Sequence, residues 1–366
     1  MCNVLIIEDQ ADTIDKFKGY AANTGLTFFS PAEVGLTTTQ MDREGGAIEE
    51  QLAEFLKGTI RDYAIDLVLL DSDLARQPEL QSHSSYKAAL RDVGMPVCRY
   101  QKGGRSVNLA MLPQLQRTIR DGASAIWIPR VFVSTGPEAE EKLVPRLKAI
   151  STAFKSIEAA LDAQPKLLEK QHSPTDVLAA VLGDGNLSYE FLGYAGQNLT
   201  FFAKPEEDSE EHLISETKRY ATQLGYWLFN YILMFQGPIL SQSAAAAFLN
   251  VEPDEAIHCD PFRHLLDEAR YDGPFSEVEP YYWRTKLVDL AATAGGDIIN
   301  HERLQGAKLT RVDQDPDAVQ AFVCMISGEA ITQDQAAPNP DWVPTGASEA
   351  RIKEEVLDEL GPLAGI

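Results

Sequence analysis

The sequence predicts an α/β protein: a five-stranded, parallel, doubly wound sheet followed by a mainly helical acidic domain. Three observations carry this. The run Asn3-Val4-Leu5-Ile6-Ile7 and the run Asp66-Leu67-Val68-Leu69-Leu70-Asp71 are short and continuously apolar at their centres, the mark of strands buried on both faces. Helix-like periodicity separates such runs, and strands alternating with helices imply βαβ units with right-handed crossovers. The charge is uneven: residues 1–170 hold 20 basic and 23 acidic side chains, and residues 171–366 hold 12 and 32.

The elements follow in order. The first strand ends at Glu8-Asp9, and Ile14, Phe17 and Ala21 give the next helix its apolar face. Leu26-Thr27-Phe28-Phe29 reads as a second short strand, and residues 31–46 as a loop insertion. A helix from Ile48 to Tyr63 aligns Ile48, Leu52, Phe55, Leu56 and Ile60. The third strand ends at Asp71. Met95 to Tyr100 is a fourth strand, Leu112, Leu115 and Ile119 mark a helix, and Ala125-Ile126-Trp127-Ile128 is a fifth strand. Leu143, Leu147, Ile150, Phe154, Ile157 and Leu161 then form a short heptad seam, with Pro145 limiting the start of its helix. This helix either packs on its own sheet or extends as a connector, where residues 143–161 would pair with a second copy.

The expected organisation is a sheet domain (1–135), a connector (136–170) and a helical acidic domain (171–366). A chain of 366 residues buries a sizeable core without disulfides, and its four cysteines form no CxxC pair. With no basic leader before Glu8 and no long apolar run, a reduced, cytoplasmic protein is expected. The net charge of −23 counts against nucleic acid and anionic membrane as partners.

In such a sheet, ligands bind beyond the carboxyl ends of the strands. If strands one and three are neighbours, Glu8, Asp9 and Asp71 converge there. Clustered carboxylates repel one another unless a cation or a proton sits between them, and a hard divalent ion such as Mg²⁺ relieves that. A carboxylate beside Mg²⁺ can also attack a phosphoryl group. The plainer alternative is that these acids cap the following helices.

Val4-Leu5-Ile6-Ile7-Glu8-Asp9, followed by Asp66-Leu67-Val68-Leu69-Leu70-Asp71, resembles the receiver domain of two-component response regulators, over residues 1 to about 132. Gly122-Ala123-Ser124-Ala125-Ile126-Trp127-Ile128-Pro129 is similar to that family's run into strand five. The resemblance implies a flavodoxin-like sheet, Glu8 and Asp9 as Mg²⁺ ligands, Asp71 as phosphoacceptor and Asp73 lending its backbone carbonyl to the metal. It also implies a histidine kinase or phosphotransfer protein as donor and a protein as output partner. Two positions depart from the family. Arg99-Tyr100-Gln101 stands where receivers carry Ser or Thr, and Pro129 where they carry Lys. Arg130 and Lys102 are the candidate replacement cations. A phosphate-independent pseudo-receiver scaffold is the alternative. A second rival is a haloacid-dehalogenase-like phosphatase, with Asp71 as nucleophile and Asp73 as general acid.

In the second half, Ser173-Pro174-Thr175-Asp176 reads as a helix start, residues 205–211 as an acidic loop, and residues 216–235 as one long helix. Residues 319–326 are strand-like, and residues 349–360 form a terminal helix. Ser241 to Val251 resembles a helix-turn-helix, but the acidic charge favours a packing helix. His258, Cys259 and His264 lack a fourth ligand at zinc-like spacing and read as surface or core residues. Tyr281, Tyr282, Trp283 and Trp342 read as core, with a pocket or interface as the sharper alternative.

Overall fold

The computed structural model describes residues 1–37, 46–74, 80–102, 111–134, 136–169, 172–195, 215–315 and 317–361. The chain divides into two compact units. One comprises Met1–Arg105, Asp121–His172 and Phe201–Tyr226, and the other Ser106–Arg120, Ser173–Thr200 and Trp227–Ile366.

The first unit contains the expected sheet. Its strands are β1 (Cys2–Ile7), β2 (Leu26–Phe29), β3 (Leu67–Asp71), β4 (Val97–Tyr100) and β5 (Ile126–Trp127), all parallel, in the order β2-β1-β3-β4-β5. In chain order its helices are α1 (Ala11–Tyr20), α2 (Ile48–Asp62), α3 (His83–Val93) and α5 (Pro137–Ala163), while α4 (Leu112–Asp121) belongs to the second unit as far as Arg120. Val4 to Ile7 and Leu67 to Leu70 are wholly buried, which is why these strands read as continuous apolar runs. Leu5, Ile7, Val68, Leu70 and Val97 pack on one face with Leu52, Leu56 and Ile60 of α2 and Tyr86, Leu90 and Val93 of α3. Period-two alternation sends Val4, Ile6, Leu67 and Leu69 to the other face. Each fully buried Leu or Ile side chain contributes about 1.5–3 kcal/mol by leaving water.

Helix α3 had no counterpart in the sequence reading. Ser82 caps it by accepting from the Ser85 amide, and Gly94 ends it in the left-handed region at φ 77°. Of the loop insertion at 31–46, residues 31–37 are turns and 38–45 lie outside the described residues. Pro145 does not limit the start of α5, which begins at Pro137 and carries Pro145 inside. The proline forgoes one i→i−4 hydrogen bond, and the apolar face holds the helix through it. All six seam residues are buried within the chain, and Phe154 meets the Tyr226 ring edge-on at 5.5 Å, so the seam is filled by its own unit.

The second unit includes α6 (Pro174–Val181), opened by the expected capping box of Ser173 and Asp176, and α7 (Leu187–Ala195). The long helix at 216–235 is shorter than its periodicity suggests. α8 runs Glu216–Trp227 and belongs to the first unit as far as Tyr226, and the chain continues into the second unit as a π-helical turn, Leu228–Ile232. Then come β6 (Ile239–Ser241), α9 (Gln242–Phe248), α10 (Pro253–His258), α11 (Asp260–Leu266), β7 (Tyr281–Trp283) and α12 (Arg284–Thr293). The chain finishes with β8 (Phe322–Val323), β9 (Ala330–Ile331), β10 (Ala336–Ala337), β11 (Ile352–Lys353) and α13 (Glu354–Leu360). These six strands form three two-stranded antiparallel sheets. The strand-like stretch 319–326 reduces to β8, and the terminal helix starts at Glu354. Ala244 to Ala246 of α9 are buried in one core with Leu240, Phe262, Leu265 and Tyr282. The acidic loop at 205–211 lies outside the described residues. No helix among the described residues is long and apolar enough to cross a membrane.

Candidate functional site

Strand register builds the site. The pairs Ile7↔Leu70 and Asp71↔Tyr100 bring the ends of β1, β3 and β4 level. Glu8 continues the alternation of Val4 and Ile6, Asp71 that of Leu67 and Leu69, and Tyr100 that of Cys98. All three therefore emerge on the same face, at the point where strand order reverses between β1 and β3.

Glu8, Asp9 and Asp71 each offer a carboxylate oxygen, and these oxygens lie within 4.8 Å of one another. Glu8 and Asp71 are 1% and 0% exposed, and Asp9 is half-buried. Both Glu8 oxygens accept hydrogen bonds: Oε1 from the Gln10 amide at 2.9 Å, and Oε2 from the Tyr100 hydroxyl and from Lys102 Nζ at 2.7 Å. Lys102 Nζ is also 3.2 Å from Asp71 Oδ2, while Asp71 Oδ1 accepts from the Asp73 amide at 3.0 Å.

Burial pushes the Glu8 carboxyl above its ordinary range, against the opposing hydrogen bonds from Lys102 and Tyr100. Burial works to lower the Lys102 ammonium, but the Glu8 hydrogen bond and the charges of Glu8 and Asp71 outweigh it, and the net direction is up. The Tyr100 phenol is driven far up, by burial first and then by the charges of Glu8 and Asp71.

The strand-four tripeptide divides its work. Tyr100 holds Glu8. Gln101 Nε2 donates to Asp73 Oδ1 at 3.3 Å, and the Asp73 side chain is exposed. Arg99 alternates to the opposite face, where its guanidinium lies 4.6 Å from the Trp127 ring centroid and 3.0 Å from Asp121 Oδ2. Lys87 of α3 pairs with the other Asp121 oxygen. Arg130 is exposed on the 3-10 turn that follows β5, and Lys102, just past the end of β4, is a cation seated on Glu8 and Asp71.

No family model, curated protein or solved structure matches the chain. What the site can do follows from its residues alone. Its donor set is three carboxylates, hard oxygen ligands of the kind Mg²⁺ and Ca²⁺ take, at a mutual spacing that one ion can bridge. The residues present therefore fit a divalent cation. Tyr100 and the Arg99–Asp121–Lys87 cluster went unassigned in the sequence. The signal for Tyr100 was its place directly opposite Asp71 in register. Among the other flagged residues, His258 and His264 are exposed, and Tyr281 and Tyr282 are buried in the second unit.

Proposed function

We propose that this chain is a signalling protein of the response-regulator type, whose first unit accepts a phosphoryl group on Asp71 and whose second, acidic half acts through protein partners. The observation that carries this reading is the Glu8–Asp9–Asp71 triad at the strand ends, with Lys102 Nζ on two of its three carboxylates. Glu8, Asp9 and Asp71, with the backbone carbonyl of Asp73, would hold Mg²⁺. When bound, that ion supplies charge neutralisation for the transferring phosphoryl oxygens.

The chain's own residues do the rest. An Asp71 carboxylate oxygen attacks the phosphorus of the donor, a phosphohistidine or acetyl phosphate. A new O–P bond forms, the donor's P–N or P–O bond breaks, and the leaving group takes the electron pair. Asp73 steadies the Asp71 carboxylate through its amide, which leaves Oδ2 on the side of Lys102. Lys102 offsets the charge that gathers on the phosphoryl oxygens, and Tyr100 fixes Glu8. Water later attacks the phosphorus, restores the carboxylate and releases phosphate.

A second reading rests on burial. Asp71 is wholly buried, with one oxygen on the Asp73 amide and the other beside Lys102, which favours a phosphate-independent scaffold. One experiment separates these. The protein is incubated with acetyl phosphate and Mg²⁺, and its intact mass is measured. The phosphoacceptor reading expects a mass gain of one HPO₃ group, absent in Asp71→Asn. No adduct and no phosphate release supports the scaffold. Steady phosphate release dependent on Asp73 supports the phosphatase-like use of Asp71 and Asp73.

A further inference from the structure

We infer that Lys102 is a built-in cation that competes with a divalent ion for the oxygens of Glu8 and Asp71, so that ion binding requires the lysine to leave Glu8. This rests on the reading of the triad as a metal site and adds how that site is regulated. Lys102 Nζ sits 2.7 Å from Glu8 Oε2 and 3.2 Å from Asp71 Oδ2, oxygens that a metal ion would need. Glu8 has little capacity left while this contact lasts, since Oε1 is taken by the Gln10 amide and Oε2 already accepts from Tyr100 as well. Three carboxylates and one ammonium leave a local charge of about −2, against −3 once the ammonium departs, so the lysine weakens the pull on any second cation.

The geometry also gives Lys102 a way out. It lies two residues past the end of β4, on a flexible four-carbon stem, with its side chain 23% exposed, while Glu8 and Asp71 are fixed in the sheet and buried. Thr13 Oγ1, 3.5 Å from Nζ, is the next acceptor on its path. A lysine held at the mouth of a buried acidic pocket offsets part of the pocket's charge in the resting state. It becomes free to meet a phosphoryl group on Asp71 once a divalent ion has taken its place on Glu8.

The test measures Mn²⁺ affinity by electron paramagnetic resonance of the free ion, in the full chain. Lys102→Met should bind Mn²⁺ about tenfold or more tighter than wild type, and Lys102→Arg should stay near wild type. Mn²⁺ should also speed acylation of Lys102 in the wild-type protein, followed by peptide mass. Equal or weaker binding in Lys102→Met, or no change in Lys102 reactivity on Mn²⁺ binding, overturns the inference. If Lys102→Met fails to fold with Glu8 left unpaired, the pair Glu8→Gln and Glu8→Gln/Lys102→Met decides: tighter binding in the double variant upholds the competition, and equal binding overturns it. Equal Mn²⁺ binding with an Asp71 adduct removes only the competition. Absence of Mn²⁺ binding in every variant removes the metal site itself, and the competition with it.

Discussion

Tyr100 and Glu8 meet across the end of β3. The phenol is the register partner of Asp71, yet its hydroxyl reaches past that residue to donate to Glu8 Oε2. A buried carboxylate stripped of one donor loses a charge-assisted hydrogen bond and keeps most of its desolvation cost. Tyr100→Phe should therefore destabilise the first unit by about 1–3 kcal/mol in urea, with the slope of the transition unchanged. A loss below about 0.5 kcal/mol would mean that Lys102 and the Gln10 amide already satisfy Glu8.

Much of this site is written in the sequence, and the reason is topological. A parallel strand buried on both faces needs a continuous apolar run, and the first charged residue after the run marks the strand end where ligands bind. Glu8, Asp9 and Asp71 were legible for that reason. Lys102 was less so, because its role depends on the reach of a long side chain from the end of β4, which no spacing rule encodes. Arg99 looked like part of the site and proved to face away, since one step along a strand reverses a side chain. Helix α3 left readable marks in Ser82 and Gly94, with Tyr86, Ala89, Leu90 and Val93 between them as its apolar stripe. The two- and three-residue strands of the second unit are too short to show any period, and the π-helical turn at Leu228–Ile232 continues the apolar pattern of α8 without a local break signal.

The Arg99–Asp121 pair gives a sharper stability test. Both side chains are under 10% exposed, and the guanidinium also stacks on Trp127. Asp121→Ala leaves the Arg99 charge buried without this carboxylate, with Lys87 adding a second positive charge nearby. The expected loss is about 3–5 kcal/mol by urea denaturation. Arg99→Met/Asp121→Leu should recover most of it, because removing both charges also removes their desolvation cost. A double variant as unstable as Asp121→Ala would show that the cluster's value lies in shape rather than charge.

His83 makes the same region sensitive to acid. Burial, followed by the positive charges of Arg99 and Lys87, lowers its pKa to about 4, with Asp121 and Asp73 opposing. In the unfolded chain the imidazole titrates near its ordinary 6.5. Between these values the unfolded chain binds a proton that the folded chain refuses. The contribution is therefore fully present above pH 6.5 and declines as pH falls towards 4. His83 is partly exposed, so solvent screening reduces the effect to about 1 kcal/mol between pH 7 and pH 5. His83→Gln should flatten that part of the stability curve, and an unchanged slope would reject the assignment.

In the second unit, Gly193 and Gly346 bring two backbones into direct contact. The Gly346 amide donates to the Gly193 carbonyl at 3.1 Å, and the Thr345 hydroxyl donates to the same oxygen at 3.1 Å. A Cβ on Gly193 would lie 2.3 Å from the Gly346 nitrogen and 2.4 Å from its Cα. Backbone atoms cannot rotate aside as a side-chain tip can, so the segment around Gly346 must move. That motion breaks both hydrogen bonds and disturbs Tyr194, whose hydroxyl donates to the Phe235 carbonyl at 2.8 Å. Gly193→Ala should cost about 3 kcal/mol or more, the upper end for overpacking. Gly185→Ala, where a new Cβ meets nothing within 4 Å, should stay within about 0.5 kcal/mol of wild type. Hydrogen exchange at the Gly346 amide reads the contact directly: it should accelerate in Gly193→Ala and not in Gly185→Ala. Equal exchange in the two variants would mean that the backbone approach holds nothing in place.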